Sequence, residues 1–434
     1  MKMTYLIILM MAGSCTKEPL PSHCKLPDCS DTIKYVWKRP DSLGLLPILW
    51  YTLGHTSDTS KTGDWCYATD DGVITVCPLS FGPNRAYVRK LDRVTGKEVW
   101  YWDKIPLDHY TDVGYYSDRN ISFVKNRDYD AVIDCNKGNN ILFEIEPSYL
   151  RYKNTKGAII GDYYYTSVFE EQKNVTDTGD YAQLIRMKLS SESGWEKIYT
   201  LWQNKVDGFS PDIKNITIWI DPRTQDSILL LNARLYHWER AAQGADPSTL
   251  ERSDVIAYNL SKRKVQWTID SICKVSQINE SMHILNNRLY METDMGVTIV
   301  DLLNNGNIIR KNVYAGIDIT DIDSKRIIGR IDGDIVVFNK DLNIIQRIKN
   351  EEYFAPMHME YFEDYIYAVN PSNKLFVFSL KSNKIVFQNF SLAMFVPQSI
   401  LGMEGRCSVD RVHRLLYCSD FWGTYCLKLP DKWE

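Results

Sequence analysis

The side chains that could do chemistry in this 434-residue chain are ten cysteines, seven histidines and scattered aspartates. The histidines are His23, His55, His109, His237, His283, His358 and His413. No two lie within about thirty residues, and neither a HExxH helix motif nor a Cys-x-x-Cys pair occurs. They read as solitary side chains unless a fold gathers them. Asp318, Asp321 and Asp323 are followed by Asp332 and Asp334. Two carboxylates ~5–5.5 Å apart serve retaining glycoside hydrolysis, and ~6.5–9.5 Å apart the inverting reaction. Asp-rich stretches are also turn chemistry, because Asp caps backbone N–H groups, and Asp332-Gly333-Asp334 is expected to be a hairpin turn. No nucleophile elbow, phosphate loop or dinucleotide fingerprint occurs. The expectation is no catalytic residue, no metal and no cofactor.

Three pairs of thiols are disulfide candidates. Cys24 and Cys29 bracket a short proline-containing loop. Counting back from an Asp71-Gly72 turn puts Cys66 opposite Cys77, and a three-residue turn near Trp422 would pair Cys418 with Cys426. Cross-strand neighbours lie ~4.5–5.5 Å apart at Cα, within bonding reach. An oxidising compartment would permit all three bonds; the alternative is buried thiols. Aromatic side chains are the other resource, with 27 Tyr. Tyr115, Tyr116, Tyr353, Phe354, Phe421 and Trp422 are candidates for a binding surface, where rings could stack on a glycan or anchor a protein. The alternative is that such rings alternate between core and solvent.

The elements that position these residues repeat. Tyr67 to Val76 reads as strand, Asp-Gly-type turn and strand, and Leu91 to Trp100 as a further turn and strand ending in an aromatic residue. Copies of that last signal occur at Asn140 to Ile145, Trp195 to Leu201, Lys264 to Ile269, Asn307 to Arg310, Asn343 to Ile348 and Lys384 to Phe387. Each alternates as a half-buried strand does. A unit of this kind cannot bury both faces alone, so copies stack, and a closed stack is a β-propeller. Arg414 to Leu429 gives two more strands but no outermost one. Lys34-Tyr35-Val36-Trp37-Lys38 resembles Lys97 to Tyr101 and is expected to complete the last blade, which removes an exposed edge. The fold is therefore all-β, with eight four-stranded blades and an N-terminal closing strand; seven blades is the alternative count.

Leu91-Asp92-Arg93-Val94-Thr95-Gly96-Lys97-Glu98-Val99-Trp100 resembles the repeat of quinoprotein-dehydrogenase-like (PQQ-like repeat) propellers. Ile256 to Trp267 and Phe376 to Phe387 are looser copies, with Asn259 and Ser379 in place of the Asp. The resemblance implies a Trp packed between blades and a Thr-Gly turn joining third and fourth strands. It covers most of the chain, but the adjacent cysteines and calcium-binding acids of the quinone-dependent enzymes are absent. The resemblance thus carries fold rather than activity.

The chain begins with Lys2, an apolar run from Tyr5 to Ala12, and Ala12-Gly13-Ser14-Cys15. This resembles a bacterial lipobox, so residues 1–14 read as a signal peptide, Cys15 as the lipidated residue and 15–32 as a tether. An ordinary secretory signal is the alternative. Lys17-Glu18 and three Asp-Ser/Thr-aliphatic triplets resemble export and glycosylation signals of Bacteroidetes lipoproteins. Residues 33–434 form the propeller domain. With a net charge of −4 and no basic stripe, nucleic acid is not an expected partner. The expectation is an outer-membrane lipoprotein that touches the membrane through its lipid and holds a protein partner through propeller loops. The alternative is a surface protein that binds or processes glycans.

Overall fold

The period-two pattern becomes strands throughout a computed structural model of the chain. It describes residues 46 to 433 apart from short connections and the longer segments 54–64, 78–84, 171–180, 202–208, 238–249, 274–280, 350–357 and 389–406. The signal peptide, Cys15, Cys24, Cys29, the tether and residues 34–38 lie outside the described residues, as do Tyr353, Phe354, Phe421 and Trp422. No described helix is long and apolar enough to cross a membrane.

The strands make eight antiparallel sheets. In blade 1, Trp65–Thr69 is innermost and Glu98–Pro106 outermost. Blade 2 runs from Asp112–Tyr116 to Asn139–Ile145, and blade 3 from Ala158–Ile160 to Trp195–Leu201. Blade 3 carries an extra inner piece, Leu150–Tyr152, on the same neighbour. Blade 4 runs from Phe209–Ile220 to Lys264–Cys273, blade 5 from Met282–Leu285 to Asn307–Val313 and blade 6 from Asp318–Ile322 to Ile344–Ile348. Blade 7 runs from His358–Phe362 to Lys384–Gln388. The inner strand of blade 8, Cys407–Asp410, touches that of blade 1, and the ring closes.

The outermost strand of blade 8 comes from the N-terminal side, as the missing edge demanded. It is Ile48–Leu53, however, not residues 34–38, and Trp50 lies opposite Cys426. The repeated strand signal read from the sequence marks the outermost strand, the fourth from the axis, in blades 1 to 7.

Each sheet is covered on both sides, so the apolar core is divided into layers between neighbouring blades. Ile228 and Leu230 face blade 5, whereas Leu229 and Leu231 face blade 3. Successive strand residues point to opposite faces, which is why a continuous apolar run suits this strand.

Two of the expected disulfides do not form, for a reason of register. The first hairpin turns at Asp70-Asp71, so Cys66 lies opposite Thr75 rather than Cys77. Cys66 is a buried thiol that donates to the Tyr417 carbonyl at 3.3 Å. In blade 8, Cys418 lies opposite Tyr425 and Cys426 opposite Tyr417. Cys418 faces blade 7 and Cys426 faces blade 1, so no bond can join them.

Candidate functional site: the two faces of the ring

Antiparallel order from the axis outward puts the first and third connections of every blade on one face of the ring. The second connections and the links between blades leave from the other. On the first, the turn face, inner hairpins are tight: Asp70-Asp71, Gly161-Asp162, Asn286-Asn287 and Glu363-Asp364 are two-residue turns. The other, the loop face, takes the ends joined by 78–84, 171–180, 202–208, 238–249, 274–280, 350–357 and 389–406. Blades 5 and 6 are exceptions there: in blade 5 Thr293 lies opposite Gly296, and blade 6 has a two-residue turn at Asp332-Gly333 where both residues have positive φ. That is the expected hairpin turn.

The turn face is locked by a repeated contact. The third-to-fourth turn of blade 1 begins at Asp92, whose carboxylate accepts from the Val94 and Thr95 amides and the Thr95 hydroxyl at 2.7–3.1 Å. The Thr95 bond holds the Asp92 carboxyl below the usual carboxylate range. The turn ends at Gly96 with φ +66°, and a Cβ there would lie 2.4 Å from the Trp50 ring of blade 8. Only glycine fits both the backbone and the indole. The Trp50 indole N–H donates to the Arg93 carbonyl at 2.8 Å, and the Thr52 hydroxyl to the Gly96 carbonyl at 2.5 Å. Trp100 sits on Gly138 of blade 2 in the same way, and Trp267 on Gly306 of blade 5.

Elsewhere the same place is filled by different chemistry. Arg310 of blade 5 donates to the Asp341 carbonyl in the turn of blade 6. Gln346 of blade 6 donates to the Leu380 carbonyl at 2.8 Å and to Asn383 at 3.1 Å in blade 7. Blade 8 has no third-to-fourth turn, because its fourth strand comes from the other end of the chain. Trp433 takes that place, packing on Phe387 at 5.0 Å and donating to the Tyr367 hydroxyl at 3.0 Å. Between blades 3 and 4 the residues are Tyr199, whose ring packs against Tyr258 with centroids 5.4 Å apart, and Arg263, and a cavity of about 90 Å³ opens among Arg186, Glu196, Ile198, Tyr258 and Arg263. Ligand pockets run to ~300–1,000 Å³, so this is a packing gap and not a substrate site.

The acids nearest the axis are engaged by neighbours. Asp318 pairs with Arg330, and Asp212 with Arg234 at 2.7 Å. Glu360 of blade 7 accepts from the Val409 amide of blade 8 at 2.6 Å. Glu292 of blade 5 accepts from the Ile319 amide of blade 6. Burial raises the Glu292 carboxyl to about 8, despite the hydrogen bond from that amide. The blade 7 glutamate makes the same kind of bond across its own interface, so these acids latch blades together. His413 stands between Asp410, at 2.9 Å, and Arg93, at 3.1 Å, on the turn face of the seam. Among the described residues no group of three metal-ligating side chains comes together.

The sequence candidates do not converge. Tyr115 is half-buried between blades, stacks on Tyr67 with centroids 5.4 Å apart and donates to Asn120 at 2.9 Å. Tyr116 lies opposite Ile121, at the turn-face end of blade 2. Tyr353-Phe354 and Phe421-Trp422 belong to connections that start from the loop face. What the sequence reading passed over is apolar exposure on the rim. Ile308 and Ile309 of blade 5 and Ile344 and Ile345 of blade 6 are exposed on neighbouring outermost strands. The signal was there as paired isoleucines at strand starts.

No protein-family model matches the chain, and no curated protein is similar enough to count as a relative. Similar solved structures are matched over nearly their whole length. The computationally designed protein Ika8 is 9% identical, with a TM-score of 0.55 over 86% of this chain and 97% of that one. Sqt1 of Saccharomyces cerevisiae is 11% identical, with a TM-score of 0.54 over 88% and 98%. BamB of Moraxella catarrhalis is 13% identical, with a TM-score of 0.48 over 87% and 100%. Likeness at such identities is likeness of fold.

Proposed function

We propose that the chain is a non-catalytic binding scaffold of the bacterial envelope, lipidated at Cys15, which holds a protein partner through its loop face. The observation that carries this reading is the inequality of the two faces. Turns on one are bonded to the next blade almost position by position. The other presents the ends of nearly all the long connections, where a rigid ring usually offers its variable contacts. The acids near the axis either pair with an arginine of the neighbouring strand or latch one blade to the next, and this speaks against glycan hydrolysis. The exposed isoleucines on the rim add apolar surface of the kind a protein partner covers.

The test compares faces. Native purification should recover a partner whose binding is lost when Met295, exposed in the loop-face turn of blade 5, becomes Asp or residues 172–179 are replaced by a short Gly-Ser linker. Val94→Asp, on the turn face, should leave it bound. The opposite pattern refutes the assignment of faces. Membrane fractionation of Cys15→Ala tests the anchor separately, and a variant that stays with membranes refutes it.

A further inference from the structure

We propose that Cys407 and Cys418 form a covalent site, a thiol pair that closes into a cross-strand disulfide and staples the blade that seals the ring. Both are thiols in this structure, and both are fully buried. They lie directly opposite each other on adjacent antiparallel strands of blade 8. Both side chains face blade 7, in the layer that holds Tyr367, Val377 and Phe387. Directly opposed residues of an antiparallel pair lie ~4.5–5.5 Å apart at Cα, inside the ~4.4–6.8 Å that a disulfide requires. Among the described thiols no other two are so placed. Cys66 lies opposite Thr75, Cys426 lies between Tyr417 and Trp50 on the other face, and Cys135 follows the strand end of blade 2.

The place matters. Cys407 starts the innermost strand of blade 8, which is held by side-chain bonds to both neighbours, and its thiol donates to the Tyr367 carbonyl of blade 7 at 3.6 Å. The Val409 amide donates to Glu360 of blade 7, and the Ala68 amide of blade 1 donates to the Ser408 hydroxyl at 2.9 Å. A bond between Cys407 and Cys418 would tie this strand to the middle of its own sheet.

The oxidant is a disulfide, glutathione disulfide in the tube or a dithiol oxidase in an oxidising compartment. One cysteine thiolate attacks it, forming a mixed disulfide and expelling one reduced thiolate. The second cysteine thiolate attacks the protein sulfur of that mixed disulfide and expels the other. The two cysteines are oxidised by two electrons, the oxidant becomes two thiols, and the two protein protons end on them. Burial pushes the Cys418 thiol well above its ordinary value, so the folded blade does not supply the thiolate. The exchange belongs to folding, before the 407–410 strand docks.

The experiment refolds the full chain in glutathione buffers from reducing to oxidising, traps thiols by alkylation in acid-quenched samples and maps the peptides. Among these five thiols the expected result is one linked pair, Cys407 with Cys418, that grows toward the oxidising end, while Cys66, Cys135 and Cys426 stay alkylated. The melting temperature should rise with the linked fraction, and the rise should vanish in Cys418→Ser and persist in Cys66→Ala. Full alkylation of Cys407 and Cys418 at the oxidising end would overturn the proposal, as would preferential linkage of Cys418 to Cys426. The mapping uses the unaltered chain, so a variant that fails to fold does not decide the matter. None of these readouts depends on the proposed partner.

Discussion

Where blade 8 meets blade 1, an indole lies flat on a glycine; where blade 3 meets blade 4, the same two places in the register hold Tyr199 and Arg263. At the seam Trp50 is 1% exposed and Gly96 has φ +66°. At the other interface Arg263 keeps the left-handed backbone, with φ +50°, although it carries a Cβ that stands where the indole would lie. No indole stands there; the smaller ring of Tyr199 packs against Tyr258 instead, with centroids 5.4 Å apart, and a gap of about 90 Å³ is left beside the Arg186–Glu196 pair. The frame is the same and the packing is not. Blade 8 has no covalent turn between its last two strands, so the backbone ladder of Ile48–Leu53 with Gly423–Lys428 and the contacts of Trp50 and Thr52 with the next blade must hold its edge. In blade 3 the chain itself joins the last two strands, and the interface with blade 4 tolerates a poorer fit.

The sharpest way to break this contrast is to empty the seam. Trp50→Ala should cost about 3–5 kcal/mol, the range for a large buried aromatic side chain, and thermal unfolding should show it. Tyr199→Ala should cost less, because its ring is only partly buried. Gly96→Ala adds one methyl against the ring and forces alanine into left-handed backbone, and a loss of about 2–4 kcal/mol is expected from strain and overpacking together. Chemical denaturation would measure it.

Glu292 gives an intermediate case, in which a proton helps seal blades 5 and 6. Its folded carboxyl titrates at about 8 against an ordinary 4.5, so the folded state holds the proton more tightly than the unfolded chain does. The contribution is fully present below pH ~4.5 and is lost as pH rises through about 8. Glu292→Gln, neutral at every pH, should flatten that alkaline decline. An unchanged difference between the two proteins from pH 5 to 9 would show that Glu292 is already ionised. The smallest effect sharpens the contrast by rebuilding the better interface in the poorer place. Tyr199→Trp alone should destabilise, because the Arg263 Cβ blocks the larger ring. Joined with Arg263→Gly it should instead stabilise, by about 1 kcal/mol if half the gap fills at roughly 24 cal/mol per Å³. A double variant no better than the single one would show that the gap is not the vacated place of an indole.

Much of this was legible before any coordinates. The outermost strands of the first seven blades follow from alternation and from aromatic residues placed four positions after a turn residue, as in Gly96 and Trp100. The need for an N-terminal strand followed from counting strands at the C-terminal side. Its place did not, because Lys34 to Lys38 carries the pattern as well as Pro47 to Trp50 does, and local pattern is blind to which copy docks. The thiols failed for a related reason. Shifting a hairpin turn by one residue changes every partner and alternates every face, so Cys66 lost Cys77, and Cys407 gained Cys418 from a strand the spacing had not connected to it.

Periodicity and turn residues by themselves determined that this polypeptide makes repeated four-stranded sheets, because those choices rest on neighbours a few positions away. Which sheet touches which, which acids are spent as latches and which cysteines face each other were decided only by closure of the ring. Contacts between residues as far apart as Cys66 and Tyr417 exist only once the first and last blades meet. Their energies depend on burial and register that no short stretch of chain contains.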